Sequence, residues 1–404
     1  MRGRDPHEAH RASTPLELLF DLTFVIAISV AATQLARLLA AGHLAAGATG
    51  FGFAMFAICW AWVNFSWFAS AYDNDDWVFR VVTMLQMAGV LILALGLPRM
   101  FASIDHARPL DNAVMVLGYV IMRASMVFQW LRAAWQDPRQ RPSCLAYAAT
   151  ITTAQIGWVA LVFIQPPGAL APIAIIGFAI LELAGPVFAE RLGGGTPWHA
   201  HHIAERYSLL AIIAIGEGVV GATAAISAVV EHQGWSLDAL LVSIAGLGLT
   251  FGMWWIYFLL PSGPVLHAHR HRAFLWGYGH MLLFAAIAAT GAGLQTAALF
   301  IAHQARIGPG IAVLTVAAPV GVYVLMVYGL YAWLMQAIDS LDVALLAGTL
   351  AVLLFSINLA IFGVGMPVCL AVLMLAPLVT VIGHETSGKR HAAEMLARAV
   401  ERRT

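Results

Sequence analysis

Five charged residues stand where an apolar chain has least use for charge. In LELLFDLTFVIAI, residues 16–28, Glu17 and Asp21 lie one helical turn apart within an otherwise apolar run. Arg123, Glu182 and Glu217 lie deep inside three later apolar runs. Carboxylates that gain and lose a proton or hold a cation, with a guanidinium to neutralise one of them, are the components of an ion relay. They are equally the components of a static ion pair that fixes helix packing, and residue types alone leave both open.

The surroundings separate their roles. Glu17 follows Thr14 and Pro15, a helix start in which a first-turn carboxylate suits the positive end of the helix dipole, so Glu17 is expected to cap its helix. At roughly 1.5 Å per residue, Asp21 lies about 8 Å beyond that start and is too short to reach far toward water. An unpaired charge at such depth costs several kcal/mol. Asp21 is therefore expected to join a buried polar cluster with partners from spans four, six and seven, in which Arg123 neutralises at least one acid. Pro186, four residues after Glu182, withdraws a helical donor from the Glu182 carbonyl and predicts a kink. Gly216 and Gly218 flank Glu217 and would let a backbone or a file of water approach it. Asp21 and Glu217 are the leading functional pair on this reading.

The elements that must position these residues are membrane helices. With 61% hydrophobic and 10% charged residues over 404 positions, and a mean hydropathy of +0.82, the chain cannot hide its apolar surface inside a water-soluble globule. A span needs about 20 mainly apolar residues. That ruler predicts an all-α polytopic bundle with helices at 16–37, 48–71, 79–98, 112–131, 145–164, 171–189, 204–229, 239–260, 274–300, 311–335, 343–364 and 366–382. Turn chemistry separates them, as in Gln165-Pro166-Pro167-Gly168 and Pro261-Ser262-Gly263-Pro264. The net charge is zero and nothing in it suggests a nucleic-acid partner. Cys59, Cys144 and Cys369 are too scattered for a disulfide framework or a thiolate metal site and are expected to be small core residues.

The tail MRGRDPHEAHR lacks the apolar stretch of a signal peptide and is expected to be cytoplasmic. Alternating the loops from that start places most basic residues inside, Arg206 among them, and leaves only Arg37, Arg99, Arg108 and Arg306 on the other face. That asymmetry predicts an inner-membrane protein with both termini cytoplasmic. Span seven again opens on an acid, Glu205, and holds a deeper one, Glu217. With the tryptophans of CWAWVNFSW and MWWIYF, this hints at a parallel duplication: a tail at 1–15, six-helix halves at 16–192 and 193–383, and a basic tail at 384–404. In that last tail Ala392, Met395, Leu396, Ala399 and Val400 fall on one helical stripe, which suits either an interfacial helix or a frayed soluble one.

LELLFDLTFVIAI at 16–28 and HHIAERYSLLAIIAIGEGVV at 201–220 together resemble the bacterial low temperature requirement A family of polytopic membrane proteins. On that resemblance Glu17, Phe20 and Asp21 match the first-helix motif, while His202, Glu205, Arg206, Gly216 and Glu217 match the seventh-helix motif. Arg123 matches a helix-four arginine. The family's name records a growth phenotype, so the resemblance implies architecture rather than a substrate. The Phe20-Asp21 pair is also similar to the Phe-Ser-Asp motif heading the repeats of a family of endolysosomal and bacterial potassium channels, without the intervening serine.

The expected function is a transporter or ion pathway in the lipid bilayer, moving a proton, a cation or a small solute. Buried carboxylates would alternate between their load and Arg123 while helices rock. Neither a cofactor nor a catalytic set is expected. Two other classes compete. One is a non-transporting scaffold that organises lipid under stress, in which the acids would be sealed in a dry, fully paired cluster. The other is a membrane metalloenzyme built on His199, His201 and His202 or on His267, His269 and His271, whose spacings depart from the histidine boxes of membrane desaturases and suit interfacial anchors better. His280 and His303 have no evident partner in sequence. A homodimer is compatible with the residues and not specified by them.

Overall fold

The computed structural model describes residues 3–6, 8, 11–166, 170–259, 261–388, 393–397 and 399. Thirteen α-helices form among them: α1 (Pro15–Ala40), α2 (Leu44–Tyr72), α3 (Trp77–Asp105), α4 (Ala113–Gln136), α5 (Arg141–Ile164), α6 (Leu170–Ala189), α7 (Ala200–Gln233), α8 (Leu237–Phe258), α9 (Ser262–Ala268), α10 (Ala273–Ile301), α11 (Pro309–Met335), α12 (Ser340–Ile361) and α13 (Met366–Gly383). They make up twelve segments long and apolar enough to cross a bilayer, α8 and the short α9 falling together in one, Leu237–Ala268. The expected polytopic bundle is therefore what the chain forms, and no strand occurs among the described residues.

The starts of the helices follow local chemistry. Thr14 and Glu17 form a reciprocal capping box on α1: the Glu17 amide donates to Thr14 Oγ1 at 3.3 Å, and the Thr14 amide donates to Glu17 Oε2 at 2.8 Å. Asp76 caps α3 by accepting from the Phe79 amide at 2.8 Å, and it also binds Arg132, whose hydrogen bonds hold its carboxyl well below the usual range. Proline opens α5, α11 and α13. At the end of α2, Arg11 folds back and donates to the carbonyls of Ser70 and of Ala69, the latter also accepting the Asp73 amide at 3.0 Å.

By packing, the chain divides into two units, each described by itself. The first comprises 1–31 and 56–206, the second 32–55 and 207–404, so the divisions fall within α1, α2 and α7. These units follow side-chain packing, whereas a six-plus-six duplication concerns likeness between halves, and it stays an expectation. In the first unit α3, α4, α5 and α6 pack in sequence. α3 and α4 approach so closely that a Cβ on Gly118 would lie 2.4 Å from the Gly89 carbonyl oxygen. α6 is peripheral: Glu182, Gly185 and Ala189 are its buried residues, and Ile173, Ile176, Ile180 and Phe188 face outward as lipid-facing residues should. In the second unit α10 packs on α11, α11 on α12, α12 on α13, and α13 on α8. Cys59, Cys144 and Cys369 are buried and unbridged. Of the basic C-terminal stripe, Lys389, Arg390, Ala392, Val400, Arg402 and Arg403 lie outside the described residues.

Candidate functional site

Three segments of the first unit meet near the N-terminal segment: the start of α1, the later turns of α2 and the start of α7. Glu17 and His202 face each other with His202 Nε2 3.2 Å from Glu17 Oε1. One turn further in, Arg206 grips Asp21 with both arms, Nη1 donating to Oδ2 at 2.8 Å and Nη2 to Oδ1 at 2.7 Å. The Trp62 indole N–H adds a third donor to Asp21 Oδ1 at 2.7 Å. All four charged side chains are 0% exposed. Arg206 Nε also lies 4.0 Å from Glu17 Oε1, so the guanidinium stands between both acids. Phe20, stacked on Phe65 at 3.8 Å, closes the apolar side.

The outer end of this column lies under the N-terminal segment. The Ser13 amide donates to Glu205, His199 Nε2 bonds to the Glu8 carbonyl at 2.8 Å, and the His199 amide donates to Ser70 Oγ at 2.9 Å. Burial lowers Arg11 to about 10, which leaves it a cation at neutral pH. Burial, helped by the Glu17 charge, raises the Asp73 carboxyl to about 6.

A second pair lies on the other side of α2. Arg123 Nη2 donates to Glu182 Oε2 at 2.9 Å and to Tyr119 Oη at 2.7 Å. Trp60 donates to the same Glu182 oxygen at 2.7 Å and Trp158 to the other at 3.3 Å. Arg123 thus neutralises an acid as expected, but that acid is Glu182 alone. Asp21 instead takes its cation from Arg206, in span seven. Pro186 lies inside α6, which continues to Ala189, and with Asn64, Tyr147 and Thr150 it lines a shallow recess beside Glu182.

Glu217 belongs to the second unit. Gln295 donates to its Oε1 at 3.1 Å, and Gly291 lets α10 approach, since a Cβ there would lie 2.6 Å from the Glu217 carbonyl oxygen. The flanking glycines behave differently from one another: Gly218 abuts Thr250, whereas a Cβ on Gly216 would meet open space, so close approach does not require Gly216 to be glycine. His280 does have partners here, Tyr257 Oη at 3.2 Å and the Trp276 carbonyl at 2.8 Å.

Two expectations need correction. Arg206, counted among the basic residues of the cytoplasmic face, is instead a fully buried residue of α7, which begins at Ala200 rather than at 204 and so carries Arg206 about a turn and a half into the helix. The histidines are not uniform interfacial anchors: His199, His202 and His269 are buried while His201 and His271 are exposed. No three of His, Cys, Asp or Glu converge on a metal-sized site among the described residues. Sequence reasoning also missed Trp60 and Trp62 as donors to the acids, although their spacing of two on a helix was a usable signal.

Several deeply buried polar atoms in the first column have no hydrogen-bond partner within the protein. They are Arg206 Nε, His202 Nδ1 and Ser66 Oγ, with Ser13 Oγ and Asp73 Oδ2 toward the outer end. Buried polar groups are normally satisfied, so the column is polar beyond what its own ion pairs consume.

Fold and site define a polytopic helical membrane protein with charge pairs enclosed in its bundle. The chain belongs to the bacterial low temperature requirement A protein family, whose sequence model matches residues 12–377. It is 25% identical over 323 residues to an uncharacterized protein of Rhizobium meliloti (strain 1021), covering 74% of this chain and 71% of that one. No solved structure matches it significantly.

Proposed function

We propose that the protein is an ion pathway or transporter of the inner membrane, with both termini cytoplasmic, and that the Glu17, Asp21, His202 and Arg206 column is its working site. The supporting observation is the coexistence of four fully buried ionisable side chains with neighbouring polar atoms that the protein itself leaves unbonded. A sealed scaffold gains nothing from such atoms, because each unmade bond costs about 1–3 kcal/mol. A site that takes up water or an ion and releases it needs them. Glu217, with Gln295, supplies a second buried carboxylate in the other unit. Helix rocking would then expose a loaded carboxylate to each side in turn.

The test is charge movement across proteoliposomes under imposed proton, sodium and potassium gradients, with Asp21→Asn as the comparison. A current that this substitution abolishes is the expected result. Silence under every gradient, in folded protein, would sink the pathway and leave a lipid-organising scaffold.

A further inference from the structure

We infer that the ion exchanged at this site is a single proton, shared among His202, Glu17 and Asp21 against the fixed charge of Arg206. The inference rests on the pathway reading and narrows it to one substrate class.

The first reason is charge balance. Arg206 does not deprotonate in a protein. Toward the tail the Arg11 cation is set against the Asp73 carboxyl; beside Arg206, two ionised carboxylates then leave the group one charge short of neutrality, and a site with 0% exposure cannot hold that charge cheaply. One added proton, on the imidazole or on either acid, restores neutrality. The four side chains therefore form a compartment with room for one exchangeable proton. Arg123 and Glu182 differ, because one cation and one acid already balance.

The second reason is the chemistry of the contacts. Asp21 accepts from Arg206 Nη1, Arg206 Nη2 and Trp62 Nε1, and Glu17 from the Thr14 amide and His202 Nε2. Every one of these partners is an N–H donor. A sodium, potassium or divalent ion needs a cage of several oxygen ligands, and here it would face a guanidinium and an imidazole instead. A proton needs only one base at a time.

The third reason is order along the column. Glu17 links the series: its charge acts on Asp73, His202 Nε2 faces it at 3.2 Å, and Arg206 lies 4.0 Å from it while binding Asp21, and the Ser13 and Ser66 hydroxyls and His202 Nδ1 lack partners within the protein. The other charged or titratable groups facing this series are Arg11 and Glu205 toward the tail and His199, which immediately precedes α7 and accepts the His202 amide at Nδ1. In the transfer, a proton arriving at His202 Nδ1 makes an imidazolium. Its Nε2–H bond then breaks as an O–H bond forms on Glu17, and the proton passes to Asp21. Arg206, already 4.0 Å from Glu17, shifts its fork to the newly ionised Glu17.

Two measurements on the intact protein test this. In proteoliposomes holding a pH-indicating dye, a potassium diffusion potential set with valinomycin should drive proton flux that falls about tenfold or more in His202→Gln and Asp21→Asn. In infrared difference spectra of the same protein, a protonated-carboxyl band should appear and vanish between about pH 9 and pH 5 and be lost in Glu17→Gln or Asp21→Asn. Where Asp21→Asn does not fold, His202→Gln carries the test, since its amide keeps a donor facing Glu17. A sodium or potassium current with no dye response overturns the proton and leaves the pathway standing. A titrating band without any flux leaves proton binding standing and overturns the pathway. A carboxyl signal indifferent to pH overturns the proton assignment.

Discussion

Trp60 and Trp62, two residues apart on α2, donate their indole N–H groups at 2.7 Å to the carboxylates of two different ion pairs, Glu182 with Arg123 and Asp21 with Arg206. Two residues span about 200° around a helix, so the indoles leave opposite faces. α2 is thus a wall between two separate charge clusters rather than part of one network. Replacing either tryptophan by phenylalanine removes one hydrogen bond to a charged acceptor, worth about 1.5–3 kcal/mol. The double replacement should lose the sum to within about 0.5 kcal/mol in detergent unfolding. A coupling well above 1 kcal/mol would show the pairs to be one network.

Arg206→Lys keeps the charge on α7 and removes the fork. Lysine can offer Asp21 one point contact where arginine makes two hydrogen bonds at 2.7 and 2.8 Å. Stability should fall by about 2 kcal/mol and flux by about tenfold or more, because the fork could no longer move between Asp21 and Glu17. Equal flux in the lysine variant would show that only the charge matters.

The Arg123–Glu182 pair, 2% and 3% exposed, should behave as a structural clamp. Glu182→Gln strands a buried guanidinium and should destabilise by about 3–5 kcal/mol, whereas replacing both partners with apolar residues of similar volume should recover most of that loss. Comparing the thermal unfolding of single and double variants decides it. A double variant as unstable as the single one would mean that the pair does more than cancel its own charge.

How much of this was legible beforehand depended on whether the signal was local. The twelve spans were, because twenty apolar residues in a row have one solution in lipid, and so was the cap at Thr14 and Glu17. The pairing of Arg123 with an acid followed from energetics alone. Which acid it takes is a matter of helix order in space, and the sequence carries no statement of that. Arg206 shows the other limit. A hydropathy ruler trims polar residues from helix ends, so His202 falls outside the expected span and Arg206 counts with the basic face, although with Glu205 they lie in the first turns of α7.

Asp73 links the outer end of the column to pH. Its carboxyl is raised from the usual 3.8 to about 6, chiefly by burial and then by the charge of Glu17. A carboxyl raised on folding binds more protons in the native than in the unfolded state between those values. Its contribution is therefore full below about pH 4 and lost as pH rises through about 6. Asp73→Asn keeps the Oδ1 acceptor that serves the Asp75 amide at 2.8 Å and removes the buried ionisation. The variant should unfold about 1–3 kcal/mol less readily than the parent at pH 8 and match it near pH 4. Denaturation curves at both pH values check this, and a stability difference that does not change with pH would mean that Asp73 stays ionised in the folded protein throughout.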